Sequence, residues 1–119
     1  MKFNDFLPSR LESEPDGLFE VANLPQSRTG LPLVVWISPK FGARHDVRVK
    51  VSRRPNATPD ELISIAVRPD VRVVGNGELG TRDLALLRKW VVLNLDVLVR
   101  YWDGDIEYTG DAIAALRSI

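Results

Sequence analysis

The chain has 119 residues, 16 basic and 16 acidic side chains, and no cysteine. This length suits a single domain with a core of its own. The zero net charge excludes a global field that would steer the whole molecule to nucleic acid or membrane, and the lack of cysteine excludes disulfides and thiolate chemistry. With no run near 18 apolar residues and no signal-peptide pattern, we expect a cytoplasmic protein that does not enter a membrane.

An irregular N-terminal arm is predicted at residues 1–30, ahead of a single α+β domain at 31–119. Proline and glycine interrupt the arm too often for a long helix or strand. These interruptions are Pro8, Pro15, Gly17, Pro25 and Gly30. We expect the apolar residues of the arm to dock in short turns onto the domain.

Four strands with short connections are predicted next. They are "LPLVVWIS" (31–38), "HDVRVKVS" (45–52), "ELISIAV" (61–67) and "VRVV" (71–74). In the second of them, Val47, Val49 and Val51 alternate with basic residues, which predicts one buried face and one wet face. Consecutive strands joined by short loops predict a four-stranded antiparallel meander.

A long helix is predicted after the strands, with Thr81 as its N-cap and Trp102 near its end, about 31 Å at 1.5 Å per residue. It is apolar around much of its girth, so we expect it to be packed on the sheet and covered behind by the arm, the last helix or a second subunit. Asn94, in its middle, is expected to bond a backbone carbonyl or fix helix register, with partner recognition as the alternative. A short helix over Asp111–Arg117, capped by Thr109, completes the domain.

Basic side chains on the wet sheet face predict a candidate nucleic-acid surface. Its residues are Arg48, Lys50, Arg68 and Arg72, with Trp36 as the ring on which a base would stack. The alternative is a solvated sheet face, on which Trp36 lies under an arginine as a cation–π pair.

The long helix predicts a second candidate surface, because it carries more apolar area than one small sheet buries. The residues of this candidate partner interface are Trp90, Leu93, Val97 and Trp102. The partner would be another protein or a second copy of the chain.

No set of residues indicates a catalytic centre. The lone His45 precedes Asp46, and adjacent strand residues point to opposite faces, so the carboxylate is not expected to orient the imidazole. We expect an exposed histidine at a hairpin end. A ribonuclease-like use of His45 with Arg44 or Lys40 is a remote alternative.

The stretch "YWDGDIEYTGD" (101–111) is rich in carboxylates. Against the calcium-loop pattern, the required glycine is Tyr108 and the final glutamate is Ala114, so the match fails where the geometry is strictest. The stretch is predicted to be a helix stop and a turn. No metal and no cofactor are predicted.

The order of "VVWISPKFGARHDVRVKVS", further strands and "LLRKWVVLNLDVLVRYWDG" resembles a group of small uncharacterised bacterial proteins. The resemblance covers about residues 31–106 and carries over no functional residue. Members of the group pair a short β-meander with one helix, and related small domains are suspected to belong to toxin–antitoxin-like loci. The resemblance implies a non-enzymatic protein-interaction or regulatory module. Nucleic-acid binding through the basic sheet face is the alternative.

Overall fold

A computed structural model describes residues 22–119, which form a five-stranded antiparallel sheet with helices packed on it. The expected α+β class is confirmed. The strands are β1 (Ala22–Leu24), β2 (Val34–Ile37), β3 (Arg48–Ser52), β4 (Ile63–Ala66) and β5 (Arg72–Val74). The helices are α1 (Gln26–Thr29), α2 (Thr81–Leu93), α3 (Leu95–Asp103) and α4 (Thr109–Ala115), with a 3-10 turn at Pro59–Glu61. Each strand pairs with its neighbours in the chain, as a meander requires. In this range no helix has both the length and the apolar character needed to cross a membrane.

The strand beyond the four predicted ones lies in the segment predicted to be an irregular arm. β1 pairs with β2 and places Asn23 opposite Trp36. Its sequence has no β-branched residue and no clear alternation, so pairing with β2 rather than local propensity makes it a strand. The rest of the predicted arm, residues 1–21, lies outside the described residues.

The alternation in β3 sorts its side chains onto two faces as predicted. Val49 and Val51 are 2% and 0% exposed and belong to the core that the sheet shares with α2 and α3. Arg48 and Lys50 are half-buried on the other face. Burial of a valine side chain stabilises the fold by about 1.5–3 kcal/mol, whereas a slip of one residue would send both cations into the core. The pattern therefore specifies the register of β3.

The prediction of a single long helix after the sheet is wrong, because the chain forms two helices with a break at Asn94. At this residue φ is −113° and ψ is 15°, outside helical geometry. The side chain is fully buried. Its Nδ2 donates to the carbonyls of Trp90 and Arg117, both at 2.9 Å, and its Oδ1 accepts from the Arg117 N–H at 2.7 Å. The expected bond to a backbone carbonyl is confirmed, and the added bonds to Arg117 connect the break to the segment after α4.

Most residues of the predicted partner interface lie in the core of the chain. Trp90, Val97 and Trp102 are 0%, 4% and 5% exposed, because each shorter helix turns its apolar side into the core. Leu93, at the break, is 39% exposed. Three of the four predicted interface residues are therefore part of the chain's own core. At these three positions no exposed apolar surface is left for a partner.

The N-caps differ from the prediction by one residue. Gly80 and Tyr108 hold the N-cap positions of α2 and α4, in place of Thr81 and Thr109. The Thr109 hydroxyl lies 2.6 Å from the hydroxyl of Tyr101. This contact joins the start of α4 to α3 across the turn between them.

Candidate nucleic-acid site

A transverse row of side chains crosses the sheet face that lies opposite the helices. The register places Trp36 opposite Lys50, and Lys50 opposite Ser64. Arg48 points to the same face two residues earlier, opposite Ala66. Neighbouring strands lie about 4.8 Å apart, and alternate residues of a strand about 7 Å apart. Three of the predicted nucleic-acid residues are thus close enough to contact one ligand.

A pocket of about 360 Å³ lies where this face meets the loop between β2 and β3. Its basic lining residues are Lys40, His45, Arg48 and Lys50, and its aromatic ones are Trp36, Phe41 and Trp102. The described lining residues include no aspartate or glutamate. Small-ligand pockets have volumes of roughly 300–1,000 Å³, so this one is large enough for a single small ligand.

The pocket's lysines and arginine have no carboxylate partner within the described part of the chain. Asp46, which follows His45 in the chain, is engaged by Arg68, whose Nε and Nη2 donate to its two oxygens at 2.7 and 3.0 Å. The hydrogen bond from Arg68 is the main reason that the pKa of Asp46 is lowered to about 2, with a smaller coulombic effect from Lys40. Asp46 therefore stays ionised and paired at neutral pH, and Lys40, Arg48 and Lys50 remain available to an anionic ligand.

Two of the predicted nucleic-acid residues do not join the pocket. Arg68 is held by Asp46, and Arg72 donates to Asp70 Oδ1 at 3.3 Å. Arg72 points to the same face as Arg48 but lies two strands away, about 10 Å across the sheet. The structure brings together the other three predicted residues and leaves these two in exposed ion pairs.

Trp36 is held against the sheet by its own hydrogen bond. Its Nε1 donates to Ser52 Oγ at 2.8 Å, and that hydroxyl donates to the carbonyl of Arg54 at 2.7 Å. Ser52 is 2% exposed, so the anchor is protected from water. Because the indole N–H is already satisfied, Trp36 offers a ligand its ring surface and not a donor.

His45 is exposed near the end of the hairpin, as expected, and it forms part of the pocket wall. Its ring packs on Trp102, with centroids 5.4 Å apart and planes inclined at 31°. Nδ1 lies 2.8 Å from the carbonyl oxygen of Asp46, which assigns the proton to Nδ1 and leaves Nε2 as the acceptor of the neutral ring. Lys40 lines the same pocket, and Arg44 is not among its described lining residues.

Sequence reasoning missed Phe41, which lies at the tip of the loop. The Ala43 N–H donates to the Lys40 carbonyl at 2.9 Å, and the two residues between them, Phe41 and Gly42, have φ of 47° and 74°. Two positive φ values inside such a bond are typical of a type I′ turn, in which asparagine or glycine normally takes the first central position. Phe41 is 53% exposed and lines the pocket. The sequence feature that could have indicated this turn is the dipeptide "FG" between two predicted strands, because glycine favours the second central position.

Comparison with protein-family models, with curated proteins and with solved structures finds no match to this chain. The resemblance to small bacterial proteins therefore stays a prediction. Within residues 22–119, no three histidine, aspartate or glutamate side chains cluster in a way that could hold a metal ion. A function has to be argued from the pocket itself.

Proposed function

We propose that this protein binds single-stranded nucleic acid and seats one nucleotide in the pocket between the sheet face and the β2–β3 loop. The observation that carries the proposal is the meeting of Lys40, Arg48 and Lys50, none of them ion-paired within the described residues, with the anchored ring of Trp36. Unpaired cations beside an aromatic ring match the phosphate and the base of one nucleotide.

The cations suit a phosphate in complementary ways. Arg48 presents a planar fork that matches two phosphate oxygens, and Lys50 presents a compact charge two residues further along the same strand. Both side chains are half-buried, so part of their rotamer freedom is already lost before a ligand arrives. Ser64, which pairs with Lys50 across the sheet, adds a hydroxyl donor to the lining.

The ring of Trp36 favours an unpaired base over a duplex. Bases in a duplex are stacked on one another, whereas a splayed single-stranded base stacks on an aromatic side chain, worth about 1–3 kcal/mol for each base. A pocket of about 360 Å³ admits one nucleotide and not a helix of nucleic acid. Since the net charge of the chain is zero, such binding would depend on this local surface and not on the field of the whole molecule.

The test is a salt-dependent titration of a labelled 12-nucleotide single strand, RNA and DNA in turn, followed by anisotropy. Each phosphate contact lowers log K by about 0.7 for each log unit of salt in single strands. The double variant Arg48→Ala/Lys50→Ala should therefore flatten the slope by about 1.4 and weaken binding more than tenfold at low salt.

The matched control is Arg82→Ala/Lys89→Ala, which removes the same charge from exposed positions on α2, outside the described lining of the pocket. It should leave both slope and affinity unchanged. Equal losses in the two double variants, or no salt-sensitive binding by the wild-type protein, would refute the proposal.

Tryptophan fluorescence gives a second readout of the same site. Trp90 is fully buried, and Trp102 lines the pocket but is only 5% exposed, so base stacking should quench Trp36 more than the other two tryptophans. Trp36→Phe should abolish the quenching and keep the salt slope, because phenylalanine removes the fluorophore and leaves the cations in place.

RNA cleavage is a second candidate, favoured by one observation, the place of His45 in the pocket wall with Nε2 as an acceptor. A general base at this atom would face a bound ribose phosphate together with Lys40. If the pocket cleaves RNA, the labelled strand should shorten with the wild-type protein and stay intact with His45→Ala. An RNA strand that stays intact with the wild-type protein would exclude cleavage and leave binding alone.

A further inference from the structure

Phe41 occupies a backbone conformation that does not suit it. Its φ of 47° lies in the left-handed region, where a bulky side chain is disfavoured and glycine, asparagine or aspartate is readily accommodated. The bond from the Ala43 N–H to the Lys40 carbonyl holds the turn in this form. The loop therefore keeps a phenylalanine where a small polar residue would be more stable.

Burial does not compensate for this strain. Phe41 is 53% exposed and takes no part in the hydrophobic core of the described residues. A large apolar ring that is both strained and exposed contributes little to the fold. Strained residues of this kind concentrate at binding sites, where the strain serves to place a side chain before the ligand arrives.

The strained turn places the ring of Phe41 in the wall of the pocket. Phe41 lines the same pocket as Trp36, and Lys40, its chain neighbour, lines it too. The turn thus presents an aromatic ring next to a cation, at the side of the pocket formed by the loop, while Trp36 is anchored on the side formed by the sheet.

We infer that Phe41 recognises the nucleobase by stacking on it. The inference rests on the proposed function and narrows its ligand class to nucleotides that carry an unpaired base. Lys40, Arg48 and Lys50 bind the phosphate whether or not a base is present. Phe41 adds a second aromatic ring, on the loop side of the pocket, to that of Trp36, and so strengthens the preference for a nucleotide over a bare sugar phosphate.

The experiment compares Phe41→Asn with the wild-type protein on two ligands, a 12-nucleotide single strand and the abasic strand of equal length. Asparagine suits the first central position of a type I′ turn, so the variant should melt at a higher temperature. Loss of one stacking contact should weaken binding of the base-bearing strand by roughly 5- to 150-fold. Affinity for the abasic strand should not change.

Two further variants complete the design. Phe41→Trp should restore binding of the base-bearing strand, because it restores an aromatic face. Tyr108→Asn removes a second exposed aromatic ring, 67% exposed and outside the described lining of the pocket, and should leave both affinities unchanged.

The outcomes separate this inference from the proposal beneath it. If Phe41→Asn weakens both strands equally, or neither of them, while Arg48→Ala/Lys50→Ala still abolishes binding, the pocket binds phosphate and base recognition by Phe41 is refuted. A lower melting temperature for Phe41→Asn would refute the argument from strain. If the wild-type protein binds neither strand, the proposed function fails, and the inference fails with it.

Discussion

Replacement of Asn94 by alanine should lower the free energy of unfolding by about 2 kcal/mol. The buried amide makes three hydrogen bonds, one to the Trp90 carbonyl and two to the backbone of Arg117. Each contributes about 1 kcal/mol net. The backbone at this position lies outside helical geometry, so helix propensity offers no compensation, and the two bonds to Arg117 account for the loss of about 2 kcal/mol. The Trp90 carbonyl keeps its bond from the Asn94 N–H at 3.1 Å, so the unsatisfied groups are those of Arg117.

Urea denaturation followed by circular dichroism measures this loss, with two other asparagines as graded controls. Asn23 donates one exposed hydrogen bond to the Pro55 carbonyl, and Asn76 is exposed in the loop before α2. Asn23→Ala should cost less than about 1 kcal/mol, and Asn76→Ala less than about 0.5 kcal/mol.

A site-specific readout comes from the exchange of the Arg117 amide hydrogen. In Asn94→Ala this exchange should be faster, because the acceptor Oδ1 is gone. If Asn94→Ala unfolded at the same urea concentration as Asn76→Ala, with the Arg117 amide equally protected, the role assigned to the buried amide would be refuted.

Two further predictions concern acid stability and the glycines. The pKa of Asp46 is lowered from 3.8 to about 2 by its hydrogen bond from Arg68, so the stability this pair gives is complete above pH 3.8 and is lost as pH falls through about 2. Asp46→Asn should flatten the acid-unfolding curve in that window, and a curve of unchanged shape would contradict the assignment. Gly30→Ala should lower the melting temperature, because φ is 82° and the new Cβ would lie 2.7 Å from the Ile119 carbonyl oxygen. Gly110→Ala, in α4 with open space around it, should raise it, and melting shifts of the same sign would overturn this comparison.

The faces of the sheet could be predicted from the sequence because the relevant physics is local. Side chains alternate across a strand, so the order of valines and basic residues in β3 already separates the core side from the pocket side. Arg48 and Lys50 are predicted on one face for this reason. Strand alternation leaves the face of Trp36 open, and the register of β2 with β3 adds it to theirs.

The break at Asn94 could not be predicted in the same way. Apolar residues continue on both sides of it, and the groups that satisfy its side chain belong to Arg117, 23 residues further along the chain. A residue pattern within one helix carries no information about that contact. Trp90, Val97 and Trp102 are buried in the core, so three of the four residues of the predicted partner interface are not exposed.

The rest of the candidate site depends on loop geometry. The bond of Arg68 to Asp46 joins residues 22 positions apart and removes one predicted cation from the pocket. The turn at Lys40 to Ala43 brings His45 and Phe41 into the wall. Neither result follows from strand alternation, because each depends on how the chain runs between strands.

The meander has a consequence for the order in which contacts form. Its strands pair with chain neighbours over connections of five to ten residues, so each strand pairing closes a smaller loop than a contact between distant parts of the chain does. Among the described residues, two hydrogen bonds join parts of the chain that are especially far apart in sequence. Arg28 of α1 donates to the Ile113 carbonyl, 85 residues away, and the Ile119 N–H donates to the Thr29 carbonyl. By this entropy argument, we expect the return of the segment around α4 to α1 to follow the pairing of the strands.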